Sequence, residues 1–257
     1  MSEKKTTTLV VIPYAPGKAQ GWELKTSVHG WRKYFQGDAH IVTIGERSEM
    51  VDILLGEGAL SEHIERPVPS VYPFERPREL EFAAIARFII ERFGKEYSGF
   101  VKTDDDIYPI NPFTLADVKR PKWVNNELTG DADDPNHFRR AMYNTRQALA
   151  AAGLPVLNYS SHCPRWYDMA KLAAMLDRFD CDNVPHLHES LYYNTYFKAG
   201  AAKADVSKDG NLYKYGVYGE FDAADLEKAW RAGCRWVNNT VESYDIDIIK
   251  TIERIAL

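Results

Sequence analysis

Gly99-Phe100-Val101-Lys102-Thr103 runs without a break into Asp104-Asp105-Asp106. The stretch reads as a short buried strand that delivers three carboxylates at its carboxyl end. Side chains alternate along a strand, so Asp104 and Asp106 are expected on one side and Asp105 on the other. Carboxylates this crowded repel one another, and the usual relief is a divalent cation sharing their oxygens. In open α/β sheets, ligands bind beyond the carboxyl ends of the strands. A metal ion there can clamp a diphosphate and neutralise the charge that grows on a departing phosphate. A solvated acidic turn, or an aspartate capping the segment 109–115, is the plainer alternative.

Working outward, Leu9-Val10-Val11-Ile12 is an apolar run expected to end at Pro13, as in a buried parallel strand. A helix is predicted over residues 22–35 and a second strand over 40–44, closed by Gly45. Phe82, Ile85, Ile89 and Phe93 recur at helical spacing, which predicts a helix over 78–93 with Gly94 as its stop. This alternation argues an open α/β sheet flanked by helices over about residues 6–125. Beyond it, Asp134-Pro135 reads as the cap and first turn of a helix ending at Gly153. Further helices are expected around Met169, Leu172, Leu176 and Phe179, from Glu189 through Tyr196, over 223–232 and from about Asp245, with one strand over 235–238. No Gly/Ser-rich linker divides the two parts. The expectation is one domain over 1–257, with a nucleotide-binding half and a more helical acceptor half over about 126–257.

The composition suits a globular chain: 257 residues, 45% apolar, 12% aromatic and 27% charged. Disordered, collagenous and coiled-coil classes are excluded. The longest apolar runs, 9–12 and 88–90, fall far short of the roughly 20 residues of a membrane span. The polar start Met1-Ser2-Glu3-Lys4-Lys5 lacks a secretory core. Cys163, Cys181 and Cys234 form no CxxC pair and read as free thiols in a reducing compartment. A soluble cytoplasmic protein is expected. The net charge of −5 argues against a general nucleic-acid binder. Local clusters at Arg32-Lys33, Arg76 with Arg78, Lys119-Arg120 with Lys122, and Arg139-Arg140 still allow one basic groove.

Histidines form a second constellation. Asn158-Tyr159-Ser160-Ser161-His162-Cys163-Pro164 is a polar loop, and His186-Leu187-His188-Glu189 leads a carboxylate into a helix. Neutral imidazoles can ligate a metal, and Glu189 can serve as a general base. Equally, His162 and His188 can cap helices, and Glu189 can favour a helix N-terminus. Several motifs are missing. Gly17-Lys18-Ala19 lacks the rest of a phosphate-binding P-loop, no GxGxxG follows the first strand, and no GxSxG elbow occurs. Gly56-Glu57-Gly58 reads as a turn, and Asp131, Asp133 and Asp134 lack the remainder of an EF-hand. The run Asp104–Tyr108 also lacks the nucleophile pattern of a metal-dependent phosphohydrolase.

The order of motifs resembles the GT-A class of nucleotide-sugar glycosyltransferases, and within it the bacterial capsule-type and phage-encoded, DNA-modifying enzymes. The resemblance rests on Glu23-Leu24-Lys25-Thr26-Ser27, on the strand ending in Asp104-Asp105-Asp106, on His162-Cys163-Pro164 and on Ser190-Leu191-Tyr192-Tyr193-Asn194. Val11-Ile12-Pro13-Tyr14 stands where capsule phosphotransferases carry Tyr-Thr-Trp-Val-Asp, which favours sugar transfer over sugar-phosphate transfer. The resemblance implies a GT-A-like, mostly parallel sheet whose first half binds the nucleotide-sugar donor, typically a UDP-sugar. It implies that Asp104 and Asp106, with His162, bind Mn²⁺ or Mg²⁺ and the donor diphosphate, and that Asp105 contacts ribose or sugar. Pro13 and Tyr14 would lie beside the base, Glu189 would deprotonate the acceptor hydroxyl, and His188 and Lys102 are additional candidates. The implied acceptor is a glycan or a hydroxymethylated pyrimidine in DNA, in a bacterial or phage-infected cytoplasm. A non-catalytic sugar- or nucleotide-binding module with the same fold is the alternative.

Overall fold

The computed structural model describes residues 6–16, 21–66, 78–124, 126–198, 203–206, 212–239 and 245–257. Residues 1–5, Gly17-Lys18-Ala19 and Arg76, which entered the sequence reading, lie outside the described residues. In chain order the elements of the first half are β1 (Thr8–Tyr14), α1 (Trp22–Tyr34), β2 (Ala39–Gly45), α2 (Glu49–Gly56), β3 (Glu62–Glu65), α3 (Arg78–Phe93), β4 (Gly99–Lys102), β5 (Ile107–Pro109), α4 (Leu115–Lys119) and β6 (Lys122–Trp123). The second half adds α5 (His137–Ala151), β7 (Arg165–Asp168), α6 (Met169–Arg178), α7 (His188–Tyr196), β8 (Ala204–Asp205), β9 (Lys214–Val217), α8 (Ala223–Arg231), β10 (Trp236–Asn239) and α9 (Ile246–Ala256).

The main sheet has the order β3-β2-β1-β4-β7. Its first four strands are parallel, and β7 joins β4 antiparallel. The chain is therefore α/β, with a mostly parallel sheet flanked by helices. The apolar run in β1 is continuous because both faces are covered. Leu9 and Val11 join a core with α3, α6 and α7, whereas Val10 and Ile12 join one with α1 and α2. A smaller sheet, β5-β10-β9, packs with α8 and α9 around Tyr108, Val237, Leu226 and Ile249. Among the described residues no helix is long and apolar enough to cross a membrane. All three cysteines are buried free thiols.

Three expectations need correction. Strand β1 continues past Pro13 to Tyr14, pairing Pro13 with Ile44 and Tyr14 with Gly45 of β2. The β1–β4 ladder stops at Val11, whose carbonyl accepts from Thr103 N at 3.1 Å. Two residues on, Pro13 faces the same, now unpaired side, so its missing N–H costs no ladder bond. Strand β4 itself ends at Lys102, so the aspartates occupy a turn and strand alternation does not place them. Helix α5 is capped by Asn136, whose side chain accepts from Phe138 N and Arg139 N, and not by Asp134. Asp134 instead accepts from Asn136 N at 2.9 Å, one turn earlier.

Two glycines permit close approaches near the carboxyl end of the sheet. A Cβ on Gly30 of α1 would lie 2.6 Å from the Pro109 carbonyl oxygen, so only glycine lets α1 press against β5. A Cβ on Gly45 would fall 1.7 Å from the Tyr14 carbonyl oxygen.

Lys122 is buried, with Nζ donating to the carbonyls of Asp117 and Val118 at 2.5 and 2.7 Å and lying 5.1 Å from the Trp236 ring centroid. It closes the C-terminal end of α4. Burial pushes its ammonium down from 10.5 to about 7. Between those values the unfolded chain binds the proton and the folded chain does not, so this residue makes stability rise with pH from about 7 to 10.5. Lys122→Met removes that dependence. Wild type is expected to gain on the variant by more than about 1 kcal/mol between pH 7 and 10 in urea denaturation. An offset equal at both pH values would refute the account.

Candidate functional site

Strands β1 and β4 run side by side only as far as Val11 and Lys102. From β1 the chain goes on to β2 on one side, whereas from β4 it leaves for β5 and returns to this sheet only as β7 on the other side. That is the topological switch point, the place where open α/β sheets form a crevice. Asp104, Asp105 and Asp106 fill the turn there, half-buried, with Ile107 N donating to the Asp104 carbonyl at 3.2 Å. Buried Thr103 precedes them, its hydroxyl without a hydrogen-bond partner.

The carboxylates sit in unequal surroundings. Burial and the charges of Asp106, Glu23 and Asp104 push Asp105 well above the usual carboxylate range. Burial, Asp104 and Glu23 raise Asp106 to about 7, against the pull of Lys102 and Arg78. Asp104 goes the other way. Burial would raise it, but the charges of Lys102 and Arg165, a hydrogen bond from Lys102 and His162 hold it at about 2. Lys102 Nζ forms an ion pair with this carboxylate. Asp104 thus feels mainly cations, whereas Asp105 feels the negative charge of Asp106 and Glu23 and itself helps to raise Tyr14.

Glu23 is the fourth carboxylate of the cluster, raised by burial. Asn239 Nδ2 donates to its Oε1 at 3.0 Å, and the Tyr108 hydroxyl lies 3.3 Å from the same atom while donating to Asn239. Four residues further along α1, Ser27 Oγ donates to the Ile107 carbonyl at 2.8 Å. The Glu-Leu-x-x-Ser motif therefore ties α1 to the first two residues of the turn's exit strand, β5.

Across β4 the register pairs Lys102 with Arg165, and directly opposed residues share a face of the sheet. Arg165 is 6% exposed. Its Nη2 lies 3.7 Å from Glu189 Oε1, it also feels Asp104, and its Nε has no hydrogen-bond partner. Burial would lower the guanidinium, but Glu189, Tyr167 and Asp104 hold it firmly protonated. Arg165 is thus the shared neighbour of the acidic turn and Glu189. Glu79 of α3 stands near Glu189 and is raised by burial and by that charge.

His162 adopts φ 45°, the left-handed region unusual for a non-glycine residue. Desolvation, Lys214, Arg165 and Lys102 lower its imidazole to about 4, although Asp104 pulls upward. Lys214 Nζ fastens the same loop by donating to the Ser161 carbonyl at 3.0 Å. The turn thus brings Asp104, Asp105, Asp106, Lys102 and His162 into one electrostatic neighbourhood, with Glu189 linked through Arg165. Pro13 is half-buried, whereas Tyr14 is 2% exposed, its hydroxyl paired with Ser48 Oγ at 3.1 Å. His188 is also buried, its ring 4.8 Å from Phe82, and burial lowers it to about 3.

The remaining motif is scaffolding. Ser190 Oγ accepts from Tyr159 N at 3.0 Å. Asn194 Oδ1 accepts from Leu157 N at 3.2 Å, and its Nδ2 donates to the Leu157 carbonyl at 2.7 Å. The Tyr192 hydroxyl accepts from Asp168 N at 2.9 Å. Helix α7 in this way sets the start of the His162 loop and the end of β7, and so the position of Arg165. Arg165 and Glu79 carry no local sequence signal, since their importance depends on strand pairing and helix packing. Glu23 and Ser27 do have one, a polar pair at i, i+4 in an otherwise apolar-faced helix.

Among the described residues, no group of three His, Cys, Asp or Glu side chains is arranged as a metal cage. Mg²⁺-type sites commonly use one or two carboxylates and complete the shell with substrate phosphates and water. The turn offers such a cation more than one carboxylate: burial first, and then mutual repulsion, drives Asp105 and Asp106 toward protonation, and a divalent charge would relieve the repulsion. No protein-family model matches the sequence, and no curated protein matches it.

Asn194→Ala would leave both the N–H and the carbonyl of Leu157 without their partner. A loss of about 1–3 kcal/mol is expected in urea denaturation. A loss below about 0.5 kcal/mol, the size of an ordinary surface substitution, would refute the bracing role.

Proposed function

We propose that this chain is a metal-dependent glycosyltransferase acting on a nucleotide-diphosphate sugar, with a UDP-sugar as the first candidate. The observation that carries the reading is the acidic turn at the switch point of the sheet, with Asp105 and Asp106 raised by burial and then by neighbouring carboxylates. The order of the surrounding motifs supports it. Asp104 and Asp106, with His162 beside Asp104, are the residues that would hold Mn²⁺ or Mg²⁺. The bound cation supplies charge neutralisation for the departing diphosphate.

The chain's own groups have separable tasks in this reading. Asp105, in the electrostatic neighbourhood of Tyr14 and Glu23, contacts ribose or sugar. Half-buried Pro13 borders the base, and buried Tyr14 supports it from beneath. Glu189 accepts the proton of the acceptor hydroxyl, and Arg165 at 3.7 Å holds that carboxylate in place and balances its charge. The activity is tested by donor hydrolysis or sugar transfer with Mn²⁺ and with EDTA. Asp104→Ala/Asp106→Ala and EDTA are each expected to abolish turnover. Glu189→Gln is expected to lower transfer by about 10²–10⁴-fold while leaving donor binding in place. Full activity of the double variant would refute the metal role.

A specific surface favours an anionic strand, such as DNA carrying a hydroxymethylated pyrimidine, over a neutral glycan as acceptor. Lys119 Nζ lies 4.3 Å from the Trp166 ring centroid, and the guanidinium groups of Arg120 and Arg235 lie 5.7 and 4.8 Å from that of Tyr213. Trp166 lies on the opposite face of β7 from Arg165, and Tyr213 precedes the Lys214 that fastens the His162 loop. Cations interleaved with aromatic rings match phosphates and bases together. Modified duplex is expected to shift in a gel at low salt, with Lys119→Glu/Arg120→Glu weakening it. Absence of binding at low salt would remove the nucleic-acid acceptor.

A further inference from the structure

We infer that Lys102 is a resident counter-ion competing with a divalent cation for Asp104, and that a diphosphate relieves this competition by offering the ammonium another anionic partner. The inference rests on the metal-dependent reading above and extends it to a residue with no role there. Lys102 and Asp104 are paired at the end of β4, with side chains only 14% and 29% exposed. The lysine cannot easily turn away. Its Nζ lies 5.9 Å from the Phe82 ring centroid, and its cross-strand neighbour is the buried cation Arg165. A divalent ion at Asp104 would therefore meet an ammonium already at contact distance. Like charges so placed in a partly desolvated crevice repel strongly.

The pairing is also incomplete. One ammonium faces three consecutive carboxylates: Lys102 pairs with Asp104, and among the described residues no ion pair reaches Asp105 or Asp106. The crevice thus has attraction left for a cation but already holds a positive charge on Asp104. A ligand carrying phosphates changes the balance, because it brings negative charge that ammonium and metal can share. Reciprocity of linkage then makes cation and diphosphate tighten each other's binding. In the free protein the same lysine limits idle metal loading.

The test measures Mn²⁺ binding to the full chain from the loss of the free-ion electron paramagnetic resonance signal, with and without UDP. Lys102→Gln and Lys102→Met are compared with wild type, Lys102→Arg and Asp104→Ala, each checked by thermal melting. The methionine variant keeps an apolar stem against Phe82 and carries the test if the glutamine variant does not fold. Expected without UDP is about tenfold or tighter Mn²⁺ binding in the Gln and Met variants. UDP should tighten Mn²⁺ binding markedly in wild type and Lys102→Arg, and much less in the neutral variants. Equal or weaker Mn²⁺ affinity in the neutral variants, with binding still lost in Asp104→Ala, overturns the role of Lys102 alone. No Mn²⁺ binding by any form, with or without UDP, overturns the metal-dependent reading beneath it.

Discussion

Mutual repulsion among carboxylates at the end of one strand is the constraint around which the rest of the chain is arranged. Asp104, Asp105 and Asp106 share a partly desolvated turn beside Glu23 of α1; burial raises Glu23, Asp105 and Asp106, and neighbouring negative charge raises the two aspartates further. A folded chain accepts such a cluster only if countercharge and packing elsewhere compensate. The countercharge comes from Lys102 on β4 and Arg165 on β7, brought side by side by antiparallel pairing. The packing comes from two apolar layers, one on each face of β1.

The polar motifs divide into those that crowd the turn and those that hold it. Glu23 belongs to the first kind and Ser27, one helical turn later, to the second. Ser190, Tyr192 and Asn194 never touch the acidic turn, yet they hydrogen-bond the backbone on either side of the His162 loop and β7. Arg165 inherits its position from them. Two parts of the chain more than fifty residues apart thus converge through backbone hydrogen bonds, and this buried guanidinium links the charge of the turn to that of Glu189.

The crevice has a simple origin in strand pairing. Strand β4 stops hydrogen-bonding to β1 at Val11, and Pro13 keeps the exposed side of β1 from pairing further. Gly30 and Gly45 let α1 and the end of β2 close in without filling the gap. The carboxylates of the turn there are perturbed in opposite directions because Lys102 and Arg165 stand beside Asp104, whereas burial and neighbouring carboxylates dominate at Asp105 and Asp106.

Sequence alone determined the elements whose pattern is local. The unbroken apolar run of β1, the helical spacing of Phe82, Ile85, Ile89 and Phe93, and the strand leading into three aspartates are visible without a partner, because burial on both faces or on one stripe leaves its own periodicity. Short elements escaped: α2, α4, β3, β5, β6, β7, β8 and β9 carry too few residues for a clear period. Tertiary structure decided what the aspartates face. Lys102 could be named beside them, but its pairing with Asp104, the approach of Arg165 and the addition of Glu23 depend on which strands and helices lie adjacent. Charge acts through space, whereas sequence records only the order of residues along the chain.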